Sequence, residues 1–181
     1  TITKTDDKNI RLNLAKWFRV SSLENRHEGA NWYADARRFT VETAEKFGVD
    51  RYKVAAVVSA LSPNNKWERN KIDAVAVINA WQAGLDADSV KVCTYGANKR
   101  KAFRILDGEL IAESSPKTHS FAMNIAHLSS EHITIDKWHI RACLCSPEQG
   151  IIDTVESVTA KQYRRIERIT AEIARDHGYK G

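Results

Sequence analysis

Cysteine is scarce in this sequence, and its spacing does not suit a metal site. The 181 residues contain three cysteines, Cys93, Cys143 and Cys145. Cys143 and Cys145 are too close together for a C-x-x-C pair, and a cluster held by four thiolates would lack its fourth ligand. We therefore expect reduced thiols in a cytosolic compartment, with no iron–sulfur cluster, no metal site and no cofactor.

Long apolar runs are missing as well. No stretch reaches the roughly 18 consecutive apolar residues that a transmembrane helix needs, and no secretory apolar segment is present. We expect neither a membrane span nor export, and we predict a cytoplasmic location. Because the chain has no internal repeat and no low-complexity linker, residues 1–181 are expected to form a single domain.

The residues that are present suit a packed, mildly basic protein. Hydrophobic residues make up 43% of the chain, enough for a core, and five tryptophans against one methionine indicate a rigid, aromatic-rich interior. The formal net charge is +5 and the sequence pI is about 9.1. This balance fits a nucleic-acid partner without requiring one.

Apolar residues recur at helical spacing along most of the chain, and no strand pattern of any length occurs. The stretch "YKVAAVVSAL", residues 52–61, is apolar nearly all round, as a central buried helix would be. We predict an all-α domain of eight or nine helices. They lie over residues 9–23, 30–47, 52–61, 66–83, 97–106, 116–127, 137–145 and 159–177, with a short helical turn within 85–96.

Glycine, proline and aspartate mark several of the helix ends. Gly48 and Gly84 follow apolar stretches and stop helices, and Pro63 ends the central one. Pro116 suits the first position of its helix, and Asp136 is placed to cap the N-terminus of the next.

Two of these helix starts carry groups with possible chemistry, Lys117 and Asp136. A helix N-terminus disfavours positive charge nearby, so a lysine there can lose its proton part of the time and act as a nucleophile. A carboxylate beside it can move protons and stabilise a developing cation. Taken alone, each residue also has an ordinary interpretation, a solvent-exposed lysine and a helix cap.

The order of four segments resembles the helix–hairpin–helix DNA glycosylase superfamily, in particular its endonuclease III-like branch. Lys117 and Thr118 match that family's K-T pair, Asn124 matches an asparagine in the same helix, and Asp136 matches the aspartate of its V-D-T-H element. Small phage-encoded proteins look similar too. The resemblance covers roughly residues 52–145, through "ALSPNN", "TYGANKRKAFRIL", "IAESSPKT" and "TIDKWHIR".

The resemblance implies a helix–hairpin–helix glycosylase-like bundle with two helical lobes around a cleft. It further implies an enzyme that extrudes a nucleotide from double-stranded DNA and cuts the base–sugar bond. Lys117 would attack the anomeric carbon and form a Schiff base, which gives the enzyme AP-lyase activity, and Asp136 would stabilise the sugar cation. A phage-encoded member would act in the host cytoplasm.

The same resemblance implies roles for two further groups of residues. Those expected to contact the substrate are Asn64, Asn65, Trp67, His119, Asn124 and Trp138. Those expected to contact the DNA strand are Lys99, Arg100, Lys101, Arg104, Ser115 and Thr118.

Structural roles compete with these assignments. Asn64 and Asn65 suit a turn, Trp67 suits a core, and the arginines of residues 164–175 suit a solvated face with local ion pairs such as Arg164 with Glu167.

Two rival functions also stand. Glu113 and Ser115 occupy positions where the family has glycines that let backbone N–H groups approach a phosphate. This favours an enzyme of the same fold that transfers or exchanges a group on a hypermodified pyrimidine. The other rival is a DNA-binding module without chemistry. The sequence leaves the oligomeric state and the recognised base open.

Overall fold

The computed structural model describes residues 1–127, 132–150 and 157–178, and this part of the chain is helical, without a strand. None of its helices is both long and apolar enough to cross a membrane. The eight α-helices are α1 Asp7–Val20, α2 Leu23–Phe47, α3 Arg51–Leu61, α4 Trp67–Gln82, α5 Gly96–Leu106, α6 Pro116–Ala126, α7 Lys137–Leu144 and α8 Ala160–Asp176, with 3₁₀ turns at Ala87–Ser89 and Pro147–Gln149.

The all-α prediction is confirmed for the described residues, and the predicted ends of the last six helices are each within one residue of the observed ends. The predictions for the first two helices were wrong in part, because the first lies over Asp7–Val20 and not 9–23, and the second begins at Leu23 and not at 30. The first helix begins at Asp7 because the carboxylate of Asp6 accepts a hydrogen bond from the N–H of Asn9 at 2.7 Å. The second begins at Leu23, because the Ser22 hydroxyl accepts from a first-turn N–H at 3.1 Å.

The chain divides into two compact units. The first unit comprises residues 1–32 with 130–181, and the second comprises residues 33–129. The first unit is therefore assembled from the two ends of the chain, whereas the second is one continuous segment.

The second unit is built around α3, which packs against α4, α5 and α6. As its sequence predicts, α3 is buried on every side from Val54 to Leu61. Its neighbours contribute apolar side chains to the same core. These include Ala74, Val77, Ile78, Phe103, Ile105, Leu106, Phe121, Ala122 and Ile125.

The first unit has a smaller core, formed where α1 packs against α7 and α8. Buried isoleucines from all three helices meet around Tyr163, whose hydroxyl accepts from the N–H of Ile135 at 2.9 Å. The side chains of Asn13 and Trp17 on α1 donate to backbone carbonyls at the end of α7 and just beyond it, at 3.0 and 2.8 Å. These bonds join the N-terminal and C-terminal parts of the unit.

Ion pairs add to this junction between the chain ends. Asp7 on α1 accepts hydrogen bonds from Arg165 and Arg168 of α8, at 2.7 and 2.8 Å. These two bonds hold the pKa of the Asp7 carboxyl below its ordinary value. The predicted local pair is also present, since Arg164 donates to Glu167 at 2.6 Å.

Candidate functional site

The stretch "SPNN", residues 62–65, forms a tight turn between α3 and α4. Pro63 cannot continue the helix, and the N–H of Asn65 closes the turn on the carbonyl of Ser62 at 3.1 Å. Asn64 has a left-handed backbone with φ of 56°, which is uncommon outside glycine and tolerated best by asparagine and aspartate. Its exposed side chain donates from Nδ2 to the hydroxyl of Tyr95 at 2.8 Å.

The segment that precedes α5 lies against this turn. The hydroxyl of Thr94 donates to the carbonyl of Pro63 at 3.0 Å, and Asn98 donates to the Thr94 hydroxyl at 2.9 Å. Tyr95 is 63% exposed, although its hydroxyl is held by Asn64. Two of the four segments that carry the family resemblance are therefore joined by direct hydrogen bonds.

A third segment, the start of α6, is tied to α3. The buried hydroxyl of Ser59 donates to the carbonyl of Thr118 at 2.7 Å. Lys117 lies one residue earlier, in the first turn of α6, and its side chain is exposed. Pro116 occupies the first turn as predicted, while Ser115 is the N-cap residue without a capping bond from its side chain.

The backbone before α6 forms its turn without glycine at the positions of Glu113 and Ser115. In residues 107–115, Gly108 is the one residue with a positive φ, at 115°. Neither Glu113 nor Ser115 therefore has the left-handed backbone that favours glycine, and Ser115 has φ of −105° and ψ of 64°. Glu113 is exposed, so its carboxylate stands in solvent shortly before the N-terminus of α6.

Two other predicted contact residues lie further along α6. His119 is half-buried, and Asn124 is 8% exposed. The carbonyl of Asn124 accepts from Nε of Arg37 on α2 at 3.0 Å, which ties α6 to α2 within the second unit.

Trp67 packs against the core of the second unit. Its ring meets Phe39 edge-on with centroids 6.0 Å apart, and the ammonium of Lys71 lies 5.6 Å from its centroid. The structural role weighed for Trp67 in the sequence therefore accounts for much of its ring surface.

The basic residues of α5 differ in what their charged groups contact. Lys99 is 12% exposed and its ammonium donates to the carbonyl of Val90 at 2.7 Å. Arg104 pairs with Glu109 at 2.6 Å on the surface. Lys101 is half-buried.

Arg100 folds back over the start of α5. Its guanidinium lies 3.5 Å from Oδ1 of Asp88, and it also lies 3.5 Å from the place that a Cβ on Gly96 would occupy. A Cβ at position 96 would therefore meet the guanidinium at an ordinary van der Waals distance.

Asp136 belongs to the first unit, and it caps α7 as predicted. Its Oδ1 accepts from the N–H of His139 at 2.9 Å, which fixes the carboxylate at the helix start. Trp138 follows in the first turn and is 52% exposed. The cations of Lys137 and Arg141 lie 5.4 and 4.6 Å from its ring centroid, within the range of cation–π attraction.

His139, next to this cap, is half-buried and neutral. Burial lowers its pKa from 6.5 to about 4, against the opposing effect of the Asp136 charge. Its Nε2 lies 2.9 Å from the hydroxyl of Thr170, which itself donates to a helix carbonyl, so Nε2 carries the proton. A pocket of about 200 Å³ opens beside it, lined by Leu14, Phe18, His139, Thr170, Ile173, Ala174 and His177.

The three cysteines are free thiols. Burial raises the pKa of Cys143 to about 12, so this thiol does not ionise at neutral pH. Cys145 is buried and donates to the carbonyl of Arg141, and Cys93 is exposed. Within residues 1–127, 132–150 and 157–178, no three His, Cys, Asp or Glu side chains gather as a metal ion would require.

Three residues that the sequence reasoning did not select connect these segments. Ser59 links α3 to α6, Tyr95 meets Asn64, and Asp73 is a buried carboxylate on α4 that contacts both the 62–65 turn and the segment before α5. Asp73 had a detectable signal, because it is a lone charge within the apolar stretch "IDAVAVI" of residues 72–78.

The fold of the described residues defines an all-helical protein whose motif segments lie at helix starts and turns. The chain belongs to a protein family of unknown function (DUF7178), whose model matches residues 1–181. No curated protein and no solved structure matches it.

Proposed function

We propose that this protein is a DNA glycosylase with AP-lyase activity, acting on an extruded, modified or damaged nucleotide. Lys117 attacks the anomeric carbon as a neutral amine, the bond from that carbon to the base breaks, and the base leaves with a proton that the amine gives up. The sugar ring then opens to a Schiff base, and loss of a proton from C2′ expels the 3′ phosphate by β-elimination. Asp136 stabilises the positive charge that develops on the sugar as the bond to the base breaks.

The observation that most supports this proposal is that hydrogen bonds within the second unit join two motif segments and tie a third to α3. The 62–65 turn and the segment before α5 are joined by the Asn64–Tyr95 bond at 2.8 Å, and α3 is joined to the start of α6 by the bond from Ser59 to Thr118 at 2.7 Å. Lys117 is exposed beside the last of these bonds, so its amine is accessible to a substrate.

The orientation of the Asp136 carboxylate is compatible with the role proposed for it. A carboxylate that accepts a backbone N–H bond at 2.9 Å keeps a fixed orientation, as an electrostatic stabiliser must. His139 does not compete for the role of general acid at neutral pH, because burial lowers its pKa to about 4.

The test is covalent trapping on defined DNA. Duplexes with a single uracil, oxidised pyrimidine, hydroxymethylated pyrimidine or abasic site are incubated with the protein, and borohydride is added to reduce any imine. We expect a stable protein–DNA adduct that disappears with Lys117→Ala. Lys91→Ala, which removes an exposed lysine of the same unit, is the matched control and should trap normally. No adduct and no base release on any duplex, with DNA binding retained, would refute the proposal.

Asp136→Asn separates chemistry from capping. Asparagine caps a helix about as well as aspartate, so the variant should remain folded. We expect loss of base release by about 100-fold or more, typical of losing an electrostatic stabiliser. Equal release by the variant and the wild type would show that Asp136 acts only as a cap.

One observation favours a second candidate, transfer or exchange of a group on a hypermodified pyrimidine. The exposed Glu113 stands shortly before α6, where its charge repels a phosphate approaching the helix start. For this candidate, mass spectrometry of the reacted DNA should find an altered pyrimidine and no abasic site.

A further inference from the structure

Asp73 is a buried charged residue to which the proposed chemistry gives no role. It lies on α4 and is fully buried. A buried carboxylate is costly unless hydrogen bonds and an opposite charge compensate it.

Three donors converge on its two oxygens. Oδ2 accepts from Nδ2 of Asn65 at 2.9 Å and from the backbone N–H of Cys93 at 2.8 Å. Oδ1 accepts from Nε of Arg69 at 2.8 Å, one turn earlier on the same helix. The arginine side chain is about half exposed, so this third bond faces outward.

The two donors on Oδ2 come from different surface segments. Asn65 closes the turn of residues 62–65, and Cys93 opens the segment that leads into α5. The same two segments touch again further out, through the bond between Asn64 and Tyr95 at 2.8 Å. The buried Oδ2 of Asp73 therefore joins the two segments below the surface, and the bond between Asn64 and Tyr95 joins them at the surface.

We propose that Asp73 is a positioning residue, which holds Asn64 and Tyr95 in the geometry by which this surface contacts DNA. The proposal rests on the proposed function, because it explains how the same DNA-contacting surface is kept in place. Asn64 has a left-handed backbone, which persists where neighbouring contacts determine it. The bonds of Asp73 with Asn65, which follows Asn64 on the chain, and with Cys93 supply such contacts.

The test compares Asp73→Asn with Arg69→Ala. Asparagine keeps the size of the side chain, but its amide NH₂ faces one of the groups that donate to Asp73. That hydrogen bond is therefore lost. Arg69→Ala removes a donor and the opposite charge from the same carboxylate without touching either surface segment, so it controls for a loss of stability. We measure affinity for a duplex with one tetrahydrofuran abasic-site analogue, and expect about ten-fold weaker binding for Asp73→Asn through lost preorganisation. Arg69→Ala should bind like the wild type.

Two readouts separate positioning from general loss of structure. Circular dichroism should show unchanged helix content, and hydrogen exchange at the Cys93 amide should speed up in Asp73→Asn alone. In a double-mutant cycle, Asn64→Ala should cost little further affinity in the Asp73→Asn background, because both changes disable the same contact. Fully additive losses would mean that Asp73 only stabilises the fold, and would overturn the proposal.

The remaining outcomes distinguish this inference from the proposed function. If the wild type binds the duplex and Asp73→Asn binds equally well, the positioning role alone is refuted. Unchanged exchange at the Cys93 amide would refute it as well. A wild type without affinity for the duplex would refute the proposed function, and the role of Asp73 in DNA contact with it.

Discussion

The two units of the molecule are stabilised in different ways. The second unit is one continuous segment wrapped around α3, and its core includes 23 buried hydrophobic residues among those described. The first unit joins the two ends of the chain around a core of eight such residues. In the first unit, charged pairs such as Asp7 with Arg165, Arg11 with Glu172 and Lys16 with Glu148 bridge the chain ends.

The difference teaches which conditions each unit should tolerate. The stabilisation from buried apolar surface depends little on pH or salt. Ion pairs between exposed groups weaken when acid protonates the carboxylate and when added salt screens the charges. We therefore expect acid and salt to act first on the first unit, and core substitutions to act most strongly on the second. Hydrogen exchange reports on the two units separately, because their amides are resolved residue by residue.

The largest expected effect comes from the core of the second unit. Leu61→Ala removes a fully buried side chain at the end of α3 and should lower the free energy of unfolding by about 2–5 kcal/mol. Exchange of the α3, α5 and α6 amides measures this loss. Leu110→Ala, at a largely exposed leucine of the same unit, is the control. An equal loss for both variants would contradict the core assignment.

The next effect is acid sensitivity of the first unit through His139. Its pKa is about 4 when folded and 6.5 when unfolded, so between these values the unfolded chain binds the proton and the folded one does not. Stability should therefore fall as the pH is lowered from 6.5 to 4, by up to about 1.4 kcal/mol per pH unit. His139→Gln, whose amide can still donate to Thr170, should reduce this slope in urea unfolding measured at several pH values. An unchanged slope would show that His139 charges freely in the fold.

A smaller effect is expected from Lys99 in the second unit. Lys99→Met keeps the buried stem and removes the bond to the Val90 carbonyl, which should cost about 1 kcal/mol of unfolding free energy. Arg104→Gln breaks an exposed pair and should change stability by less than about 0.5 kcal/mol. Denaturant titration of both variants measures the two losses of unfolding free energy. A larger loss for Arg104→Gln would reverse the assignment of structural and surface cations on α5.

The last effect is expected from Asp7, and it should depend on conditions. Its folded pKa is lowered by Arg165 and Arg168, so its contribution is present above the unfolded value of 3.8 and is lost as the pH falls through the folded pKa. Because the group is partly exposed, Asp7→Asn should cost about 1 kcal/mol or less at pH 7 and low salt. The difference from the wild type should shrink at pH 2 to 3 and in 1 M salt. A difference independent of both would point to packing rather than charge.

Local signals in the sequence predicted the helices well. Apolar spacing, Pro63, Gly84 and Pro116 located six helices to within one residue, and Asp136 caps α7 as expected. These features act through residues that are neighbours on the chain, so they can be identified from the sequence alone. The starts of the first two helices are harder to predict, because a cap such as Ser22 stands in a stretch where most residues are polar.

The candidate site was predicted less completely. Lys117, Asn64 and Asp136 were chosen from their motifs, but nothing in the sequence indicated that Asp73 accepts bonds from Asn65 and from the Cys93 amide. Such contacts join residues that are distant along the chain, and many pairings of a buried aspartate are compatible with the same spacing.

The sequence by itself determined that the chain is helical, where most of its helices end, and which residues stand at helix starts. The tertiary structure decided how those starts are used. It turned Lys99 inward to a backbone carbonyl while leaving Lys117 exposed, although both are lysines on short helices. The physical reason is that helix formation depends on local spacing and caps, whereas the partner of a charged group depends on which segments pack beside it.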